Sequence, residues 1–292
     1  MTETSRHGSP ARPLFPKLVD ERPQWQLVDE GWGRKAADFA TLSEPANCRE
    51  YAYVHHRLGI GDGVRLLDVA CGAGLALELA GVVGAACSGI DASPRLVAVA
   101  RHRSPAADVR VGDMRHLPWA DASFDAATSF RGIWATTPTA LTELRRVLVP
   151  GGRLGLTVWG HVKLSPDAWA LAPFRLAADG KVRQQADMQL GRPDAGERFL
   201  ARHGFTDIER HEIPFAWEFA DPNHFARALA ATGPGYEAIQ NVGERAFLQA
   251  ASREAAAMVR RGLPLRARLP VIALFARTPG GASTQTGGDG AR

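Results

Sequence analysis

Hydrophobic and polar positions change their spacing at Val64. Before this residue apolar side chains recur at helical intervals, and after it short apolar runs alternate with amphipathic segments. The first run, VRLLDVA at 64–70, is almost continuously apolar, which is typical of a strand buried on both faces. Further strands are predicted at 87–91, 107–113, 124–130 and 153–160, and helices at 74–80, 94–103 and 138–150, the second of them capped by Ser93.

Strands that alternate with helices of about 10–15 residues predict βαβ units and a parallel sheet. Right-handed crossovers then place helices on both faces of that sheet. We therefore predict an α/β fold of the Rossmann-like type. The remaining segments are predicted to be helical with a loop at 165–203, a long strand at 204–219, two amphipathic helices within 220–264 and a last strand at 265–278.

The same changes of pattern predict the domain organisation. Residues 64–219 are expected to form the core, which the final strand at 265–278 completes, and the helical segment 13–63 is expected to act as a lid. The helical insertion at 220–264 is long for a connection between strands, so we expect it to cap the site or to form the contact of a homodimer. Polar segments at both ends are predicted to be disordered tails, at 1–12 and 279–292.

Composition narrows the classes of function. The net charge is +4 in 292 residues and no run of Lys or Arg exceeds two. Nucleic-acid-binding proteins concentrate basic charge on one face or stripe, so we expect no nucleic-acid partner. Three cysteines give neither a disulfide framework nor zinc spacing, which predicts a reducing compartment and no metal. No apolar stretch reaches the ~18 residues of a membrane span, and a signal-peptide core is absent, so a cytoplasmic protein without membrane contact is predicted.

A glycine-rich turn follows the first predicted strand, in the sequence DVACGAG from Asp68 to Gly74. Gly72 and Gly74 permit a tight strand-to-helix turn and a close approach of the backbone to a ligand. Asp91 ends the second strand about 20 residues later, where an acidic residue hydrogen-bonds ribose hydroxyls. The turn and Asp91 together predict a nucleoside-binding site.

The third predicted strand ends at Asp113, which Met114 follows. A carboxylate here can accept a hydrogen bond from an adenine amino group while the methionine packs on the ring. The three strand ends would line the crevice at the carboxyl edge of an open α/β sheet. Each feature also has a purely structural interpretation: an ordinary glycine turn, an aspartate that caps the helix beginning at Pro94, and a turn aspartate beside a core methionine.

A nicotinamide oxidoreductase is the competing cofactor hypothesis. The third glycine of the G-x-G-x-x-G fingerprint would fall at Leu77. The compact turn between Asp68 and Gly74 also has no pyrophosphate to cradle. Both observations disfavour a dinucleotide.

Four segments together carry a resemblance to a known family: VRLLDVACGAG, GIDAS, VGDMRHLPWADASFD and LTELRRVLVPGGRLGLTVWG. They resemble class I S-adenosylmethionine (SAM)-dependent methyltransferases, in the branch of the ubiquinone and menaquinone biosynthesis enzymes and of many small-molecule methyltransferases of secondary metabolism. The resemblance covers about residues 30–220. It implies a seven-stranded sheet, mostly parallel with an antiparallel last strand, whose sixth and seventh strands would be 204–219 and 265–278.

The resemblance also implies roles for single residues in binding SAM and its product S-adenosylhomocysteine (SAH). Asp68 would hold the loop near the methionine end, Asp91, with Ala92 beside it, would bind both ribose hydroxyls, and Asp113 would face the adenine N6, with Met114 stacked on the ring. The loop under the amino acid and ribose would comprise Ala70, Cys71, Gly72 and Gly74. Ala70 replaces a glycine of many relatives. The residues bordering the methionine moiety would be Ser129 and Phe130.

The methyl acceptor is predicted to be a small molecule. The chain continues the fourth strand as SFRGIW, without the N/D-P-P-Y/F motif for methylation of planar amino groups, and it lacks both the paired-glutamate loop of arginine methyltransferases and the acidic pattern of metal-dependent catechol methyltransferases. An RNA or protein methyltransferase and a non-catalytic SAM-binding protein remain as alternatives.

The acceptor pocket is expected to contain aromatic residues close to the predicted strand ends. His161, directly after the fifth strand, is the first candidate for a general base or substrate-orienting group, and its alternative is a surface histidine. The other candidates, whose alternative is a place in the core, are Trp32, Arg131, Trp134, Trp159 and Trp217. Their number favours an aromatic or otherwise apolar acceptor.

Overall fold

The computed structural model describes residues 24–134, 137–177 and 190–280. Residues 1–23 and 281–292 lie outside these ranges, and with them the whole first predicted tail and nearly all of the second. The beginning of the predicted lid is also outside.

A seven-stranded sheet organises the molecule. Its strands belong to a set of nine: β1 (Arg65–Val69), β2 (Ala86–Asp91), β3 (Asp108–Val111), β4 (Phe124–Phe130), β5 (Leu148–Trp159), β6 (Thr206–Ile213), β7 (Ala216–Phe219), β8 (Leu265–Arg268) and β9 (Val271–Arg277). The order in the sheet is β3-β2-β1-β4-β5-β9-β6, with β9 antiparallel to both of its neighbours. The predicted Rossmann-like α/β class, mostly parallel with an antiparallel last strand, is therefore confirmed.

The strand order reverses its direction between β1 and β4. From β1 the chain passes outward through β2 to β3, then returns to the other side of β1 as β4 and continues to β5. The loops after β1 and β4 diverge at this point, and such a switch point leaves a crevice at the carboxyl edge of the sheet.

Helices surround the sheet and extend the chain beyond it. Their bounds are α1 (Ala36–Asp38), α2 (Cys48–Leu58), α3 (Leu75–Val82), α4 (Pro94–Arg103), α5 (Pro138–Val147), α6 (Ala195–Arg202), α7 (Pro222–Ala230), α8 (Gly233–Val242) and α9 (Glu244–Ala256). The Ser93 hydroxyl accepts a hydrogen bond from the Leu96 N–H at 3.1 Å, which confirms the predicted N-cap of α4. Short 3₁₀ or π-helical turns occupy Gln24–Leu27, Asp29–Gly33, Phe39–Ser43, Glu44–Asn47, Val162–Leu164, Ala168–Leu176 and Val259–Arg261.

The sequence predicts one continuous strand at 204–219 and another at 265–278. This prediction was wrong, because each of them is divided into two shorter strands. The break falls at Pro214 in one strand and at Pro270 in the other, and proline cannot donate to a strand ladder. Ile213 pairs with Val271 before the break and Ala216 with Arg268 after it, so both strands resume pairing with the same partner. The resumed pair, β7 and β8, forms a separate two-stranded sheet.

The region 220–264 holds three helices rather than the two predicted. The additional helix, α8, begins with Gly233-Pro234-Gly235, a composition that predicts a loop. The Thr232 hydroxyl caps it by accepting the Gly235 N–H at 3.2 Å, and Pro234 lies in the first turn, where its missing N–H costs nothing. Among the described residues of 165–203, only α6 is a full α-helix.

The two largest of the five hydrophobic clusters in the described residues lie on opposite faces of the sheet. Alternate residues of β9 belong to different clusters: Ala273 and Phe275 to the one that includes α2, and Ile272 and Leu274 to the one that includes α5. Gly155 on β5 lets α2 approach closely, because a Cβ there would lie 2.8 Å from Val54 Cγ1. This close packing brings the N-terminal segment to the carboxyl edge of the sheet.

Gly74 should be less replaceable than Gly63, although both have positive φ, 82° and 73°. A Cβ at Gly74 would lie 2.6 Å from the Ala100 Cβ on α4, whereas nothing lies within 4 Å of a Cβ at Gly63. Gly63→Ala should cost roughly 1–2 kcal/mol of unfolding free energy for its left-handed backbone, and Gly74→Ala a further 1–3 kcal/mol, roughly, for overpacking. Urea denaturation of both variants measures the difference, and equal losses would contradict the close contact between the loop and α4.

Candidate active site

A cavity of about 570 Å³ opens at the carboxyl edge of the sheet, at the switch point between β1 and β4. This volume falls in the range typical of small-molecule sites. One half is formed by the β1–α3 loop and the N-terminal segment, with Trp32, Phe39, Ser43, Glu44, Asn47, Tyr51, Asp68, Ala70, Cys71 and Gly72. The other half is formed by later parts of the chain, with Phe130, Arg131, Trp134, Val158, Trp159, Val162, Lys163, Ala168, Leu171, Phe174, Arg175, Trp217, Phe219, Ala228, Leu229, Thr232 and Pro234.

The loop between β1 and α3 turns sharply by means of left-handed residues. Ala70, Gly72 and Gly74 have φ values of 61°, 55° and 82°. This conformation is unfavourable for alanine by roughly 1–2 kcal/mol. The methyl group also needs space that the neighbouring residues must leave. Gly132 provides that room, because a Cβ at Gly132 would lie only 2.3 Å from the Ala70 Cβ.

Asp91 fastens this loop to the end of β2. Its Oδ2 accepts the Gly72 N–H at 2.9 Å and its Oδ1 accepts the Ser93 N–H at 2.8 Å. The carboxylate is 8% exposed, and this burial raises its pKa above the ordinary value. The Gly72 N–H of the loop therefore depends on Asp91 for its hydrogen bond.

Asp68 contributes a second buried carboxyl group to the cavity wall. The Thr128 hydroxyl of β4 donates to its Oδ1 at 2.7 Å. Burial, together with the negative charges of Glu44 and Asp91, raises the pKa of Asp68 to about 8 against the single opposing hydrogen bond from Thr128.

Glu44 brings a third buried carboxyl group from the N-terminal segment. It forms an ion pair with Arg103 of α4, and its Oε1 accepts the Leu75 N–H at the first turn of α3 at 3.4 Å. Burial raises the pKa of Glu44 from 4.5 to about 7, although the Arg103 charge opposes the change. Arg103 also donates to the carbonyl oxygens of Ala40 and Ala73, at 2.7 and 3.1 Å, so this cluster ties the segment to the loop.

A second set of contacts holds the beginning of the N-terminal segment against α4. The carboxylate of Asp29 forms an ion pair with Arg95 at 2.7 Å and accepts a hydrogen bond from the Ser93 hydroxyl. The segment then presents Trp32 and Phe39 to the cavity, with ring centroids 5.9 Å apart in an edge-to-face arrangement.

The far half of the cavity is built around Arg131, which follows β4 with a φ of 59°. Its Nη2 lies 2.8 Å from Oε2 of Glu50, a residue of α2 that is 0% exposed. The guanidinium also lies over the rings of Trp159 and Phe215, 4.7 and 5.4 Å from their centroids. These contacts fix the cation at the cavity wall.

Tryptophan rings form much of the remaining wall. Trp134 donates from its Nε1 to the Arg131 carbonyl oxygen at 2.8 Å, and Trp159 packs edge-to-face on Trp217 at 5.4 Å between centroids. Trp217 belongs to β7, and Trp159, whose ring it contacts, is the last residue of β5. The far half is therefore mainly aromatic and apolar.

Comparisons with known proteins agree with this geometry. Residues 67–156 match the sequence profile of a methyltransferase domain. The chain is 31% identical over 204 residues to the malonyl-[acyl-carrier protein] O-methyltransferase of Erwinia pyrifoliae. The matched region covers 67% of this chain and 72% of that enzyme. The chain is a class I SAM-dependent methyltransferase. Its methyl donor is SAM, and the predicted family and cofactor are confirmed.

Two further similarities support the branch and the fold. The demethylmenaquinone methyltransferase of Renibacterium salmoninarum is 36% identical over 111 residues, 37% of this chain and 47% of that enzyme. Among solved structures, phosphoethanolamine N-methyltransferase 2 of Haemonchus contortus in complex with SAM superposes with a TM-score of 0.58. That match has 19% identity and covers 91% of this chain and 61% of the other, so it supports the fold alone.

The methyltransferase places its predicted cofactor residues in two groups. Those on the cavity wall are Asp68, Ala70, Cys71, Gly72 and Phe130. Those at the same edge of the sheet but off the wall are Gly74, Asp91, Ala92, Asp113, Met114 and Ser129. Asp113 forms an ion pair with Arg115 at 2.7 Å, which lowers its pKa although partial burial alone would raise it. The Ser129 hydroxyl donates to the Val69 carbonyl oxygen at 2.7 Å.

The predicted acceptor residues Trp32, Arg131, Trp134, Trp159 and Trp217 all line the cavity, and their contact with an acceptor stays a prediction.

His161 is not brought to the cavity. Its side chain is exposed, while the two residues that follow it, Val162 and Lys163, line the wall. The chain turns at Gly160, whose N–H donates to the Pro270 carbonyl oxygen, and this turn directs His161 away. The described part of the cavity wall contains no histidine.

Two buried glutamates carry no signal in the sequence: Glu44, which lines the cavity wall, and Glu50, which pairs with Arg131 and does not line the wall. Glu44 precedes a proline in a short turn, and Glu50 lies among polar residues of an amphipathic helix, so both read as solvent-exposed. Within 24–134, 137–177 and 190–280, no group of three or more His, Cys, Asp or Glu residues could hold a metal ion. The helices described there are all too short or too polar to span a bilayer.

Asp91→Ala should weaken SAM binding by about 1–3 kcal/mol, because the Gly72 N–H loses its acceptor and the ribose hydroxyls would lose the acceptor predicted for them. Calorimetric titration with SAM measures this change. Asp125→Ala is the matched control, since Asp125 pairs with Arg65 at the opposite edge of the sheet. Unchanged affinity in Asp91→Ala would remove Asp91 from the site.

Glu44 should make the unfolding free energy fall as the pH rises from about 4.5 to about 7. In this window the folded protein binds more protons than the unfolded chain, because burial raises the pKa of Glu44, so stability decreases with pH. Urea denaturation at several pH values should show a less negative slope for Glu44→Gln. Glu212→Gln, on the exposed side of β6, should keep the wild-type slope, and a wild-type slope in Glu44→Gln would contradict the assignment.

Proposed function

We propose that this enzyme transfers the methyl group of SAM to an O, N or C atom of a small molecule that is aromatic or otherwise apolar, releasing SAH. The observation that carries the proposal is the cavity of about 570 Å³ that joins the β1–α3 loop to an aromatic half. We call the half beside the loop the cofactor half and the half around Arg131, Trp134, Trp159 and Trp217 the acceptor half.

The chemistry of the cofactor half fits SAM. Ammonium groups are bound well by carboxylates, and Asp68 and Glu44 place two carboxyl groups on the wall, whose raised pKa values a bound cation would lower. A side chain at Gly72 would occupy space at the wall, 3.4 Å from Phe39 and 3.5 Å from Glu44, so the glycine leaves room for a ligand against the backbone. Asp91 lies directly behind Gly72 and is assigned to the ribose hydroxyls, while Asp113 and Met114 are assigned to the adenine.

The acceptor half supports an apolar acceptor. Trp159, Trp217 and Phe219 form an aromatic wall, and α7 and α8 add Leu229 and Pro234 to it. The helices of the predicted cap insertion thus contribute to the wall. Stacking and burial on such a surface would orient a flat or extended apolar molecule.

When bound, SAM supplies a methyl group on a sulfonium, whose displacement leaves neutral SAH. The residues of the chain then mainly position the reactants, because alignment of nucleophile and methyl group can supply much of the rate. Phe130 lies on the wall at the end of β4, and Arg131 is fixed next to it by Glu50 and Trp159. A general base is needed only for an acceptor that holds its proton at neutral pH, and no histidine of the described wall is available for that task.

The relatives support the type of reaction rather than one class of acceptor. Enzymes named for malonyl-[acyl-carrier protein], demethylmenaquinone and a fungal O-methylation, the last from Penicillium expansum, all match parts of the chain. Their acceptors differ from one another, so the sequence similarity supports the reaction type and the shape of the acceptor half must select the molecule.

Purified enzyme with SAM should form SAH when offered some member of a panel of phenols, quinols, apolar carboxylic acids and apolar amines. Trp134→Ala should then raise the acceptor KM by roughly tenfold, about 1.4 kcal/mol, while the affinity for SAH changes little. Trp119→Ala is the matched control, since Trp119 bonds Asp108 away from the cavity. Methylation of tRNA or a peptide, with no small molecule accepted, would overturn the proposal.

A further inference from the structure

Charge is distributed unequally along the cavity wall. In the cofactor half the ionisable carboxyl groups are Glu44 and Asp68, whereas in the acceptor half the charged side chains are Arg131, Lys163 and Arg175. We call these three residues the acceptor cations. No carboxylate of the described residues lines the acceptor half.

Arg131 is already neutralised by the protein. Its Nη2 pairs with the fully buried Glu50, and the Thr157 hydroxyl donates to the same carboxylate. The ion pair with Glu50 and the contact with the Trp159 ring, 4.7 Å from its centroid, hold the guanidinium in place, so it is not free to follow a ligand. The uncompensated charge of the acceptor half therefore comes from the other two acceptor cations.

Lys163 and Arg175 lie on the two 3₁₀ turns that follow β5, Val162–Leu164 and Ala168–Leu176. Both side chains are exposed and both contribute to the wall. Within the described residues neither has an ion-pair or side-chain hydrogen-bond partner. Asp167, the buried carboxylate on the same stretch, is occupied by Arg261 at 3.2 Å and Arg268 at 3.6 Å.

We propose that the acceptor is an anion with an apolar body, and that Lys163 and Arg175 bind its anionic oxygen group, a carboxylate or a comparably acidic group. This inference rests on the proposed function and narrows its substrate class. Two cations that have no ion-pair partner among the described residues, beside an aromatic wall, attract an anion, and at the edge of a low-dielectric cavity this attraction is stronger than in open water. The same cations repel an ammonium, which is the protonated and unreactive form of an amine acceptor.

The test uses two fluorescent probes that share their ring system and differ in charge. 1-Anilinonaphthalene-8-sulfonate is an anion, and N-phenyl-1-naphthylamine lacks the sulfonate. Both are titrated into the enzyme saturated with SAH. Lys163→Gln and Arg175→Gln should each raise the Kd of the anionic probe about threefold to fivefold, as expected for partly screened charges, and leave that of the neutral probe unchanged.

Three further variants make the result specific. Arg202→Gln removes an exposed cation of α6 that does not line the cavity, and it should leave both Kd values unchanged. Trp134→Ala should weaken both probes, which locates them in the acceptor half. Lys163→Glu should weaken the anionic probe more than Lys163→Gln does, because it introduces repulsion.

The outcomes separate this inference from the proposed function. Suppose that Trp134→Ala raises the Kd of the neutral probe, whereas Lys163→Gln and Arg175→Gln leave the Kd of the anionic probe unchanged. The proposed specificity for an anion is then wrong, and the apolar acceptor site stands. If neither probe binds in the acceptor half, the proposed function fails and the inference fails with it. Once an acceptor is known, loss of Lys163 or Arg175 should raise its KM and leave kcat nearly unchanged.

Discussion

The hydrogen bond from the Gly72 N–H to Asp91 is the contact on which the site depends. The chain must leave β1 and enter α3 through a loop in which Ala70, Gly72 and Gly74 all adopt left-handed backbones. A loop of this kind does not hold its shape by propensity alone. Asp91 holds it from β2, and the missing Cβ of Gly132 makes room for the Ala70 methyl group.

Buried carboxyl groups accumulate around this loop, and the protein balances them only in part. Glu44 has Arg103 as a partner, Asp68 has a single hydroxyl donor, and Asp91 has two backbone N–H groups. Burial raises the pKa of all three. Burying such a cluster is unfavourable for folding, and a ligand that carries positive charge, as SAM does on its sulfonium and its ammonium, would lower these pKa values and favour the ionised carboxylates.

The acceptor half is assembled differently, from segments far apart in the chain. Trp159 ends β5, Trp217 lies on the small sheet created by the proline breaks, and Leu229 and Thr232 come from the region of α7 and α8. None of these segments belongs to the parallel core that the family shares through residues 67–156, apart from the end of β5. We therefore expect cofactor binding to depend mainly on the core and the choice of acceptor to depend mainly on the surrounding segments.

The sequence by itself determined the class of fold and the cofactor, because those depend on local signals: apolar runs for the strands, the glycine turn after β1, and an acidic residue at the end of β2. It misjudged 204–219 and 265–278, where two prolines outweighed strand propensity, and it missed α8, whose helix depends on a threonine cap. Only the tertiary structure decided which side chains share the cavity. Glu44, Lys163 and Arg175 have no sequence signal, and His161 follows a strand end yet turns to solvent, because burial and the direction of a side chain after a turn depend on packing between distant segments.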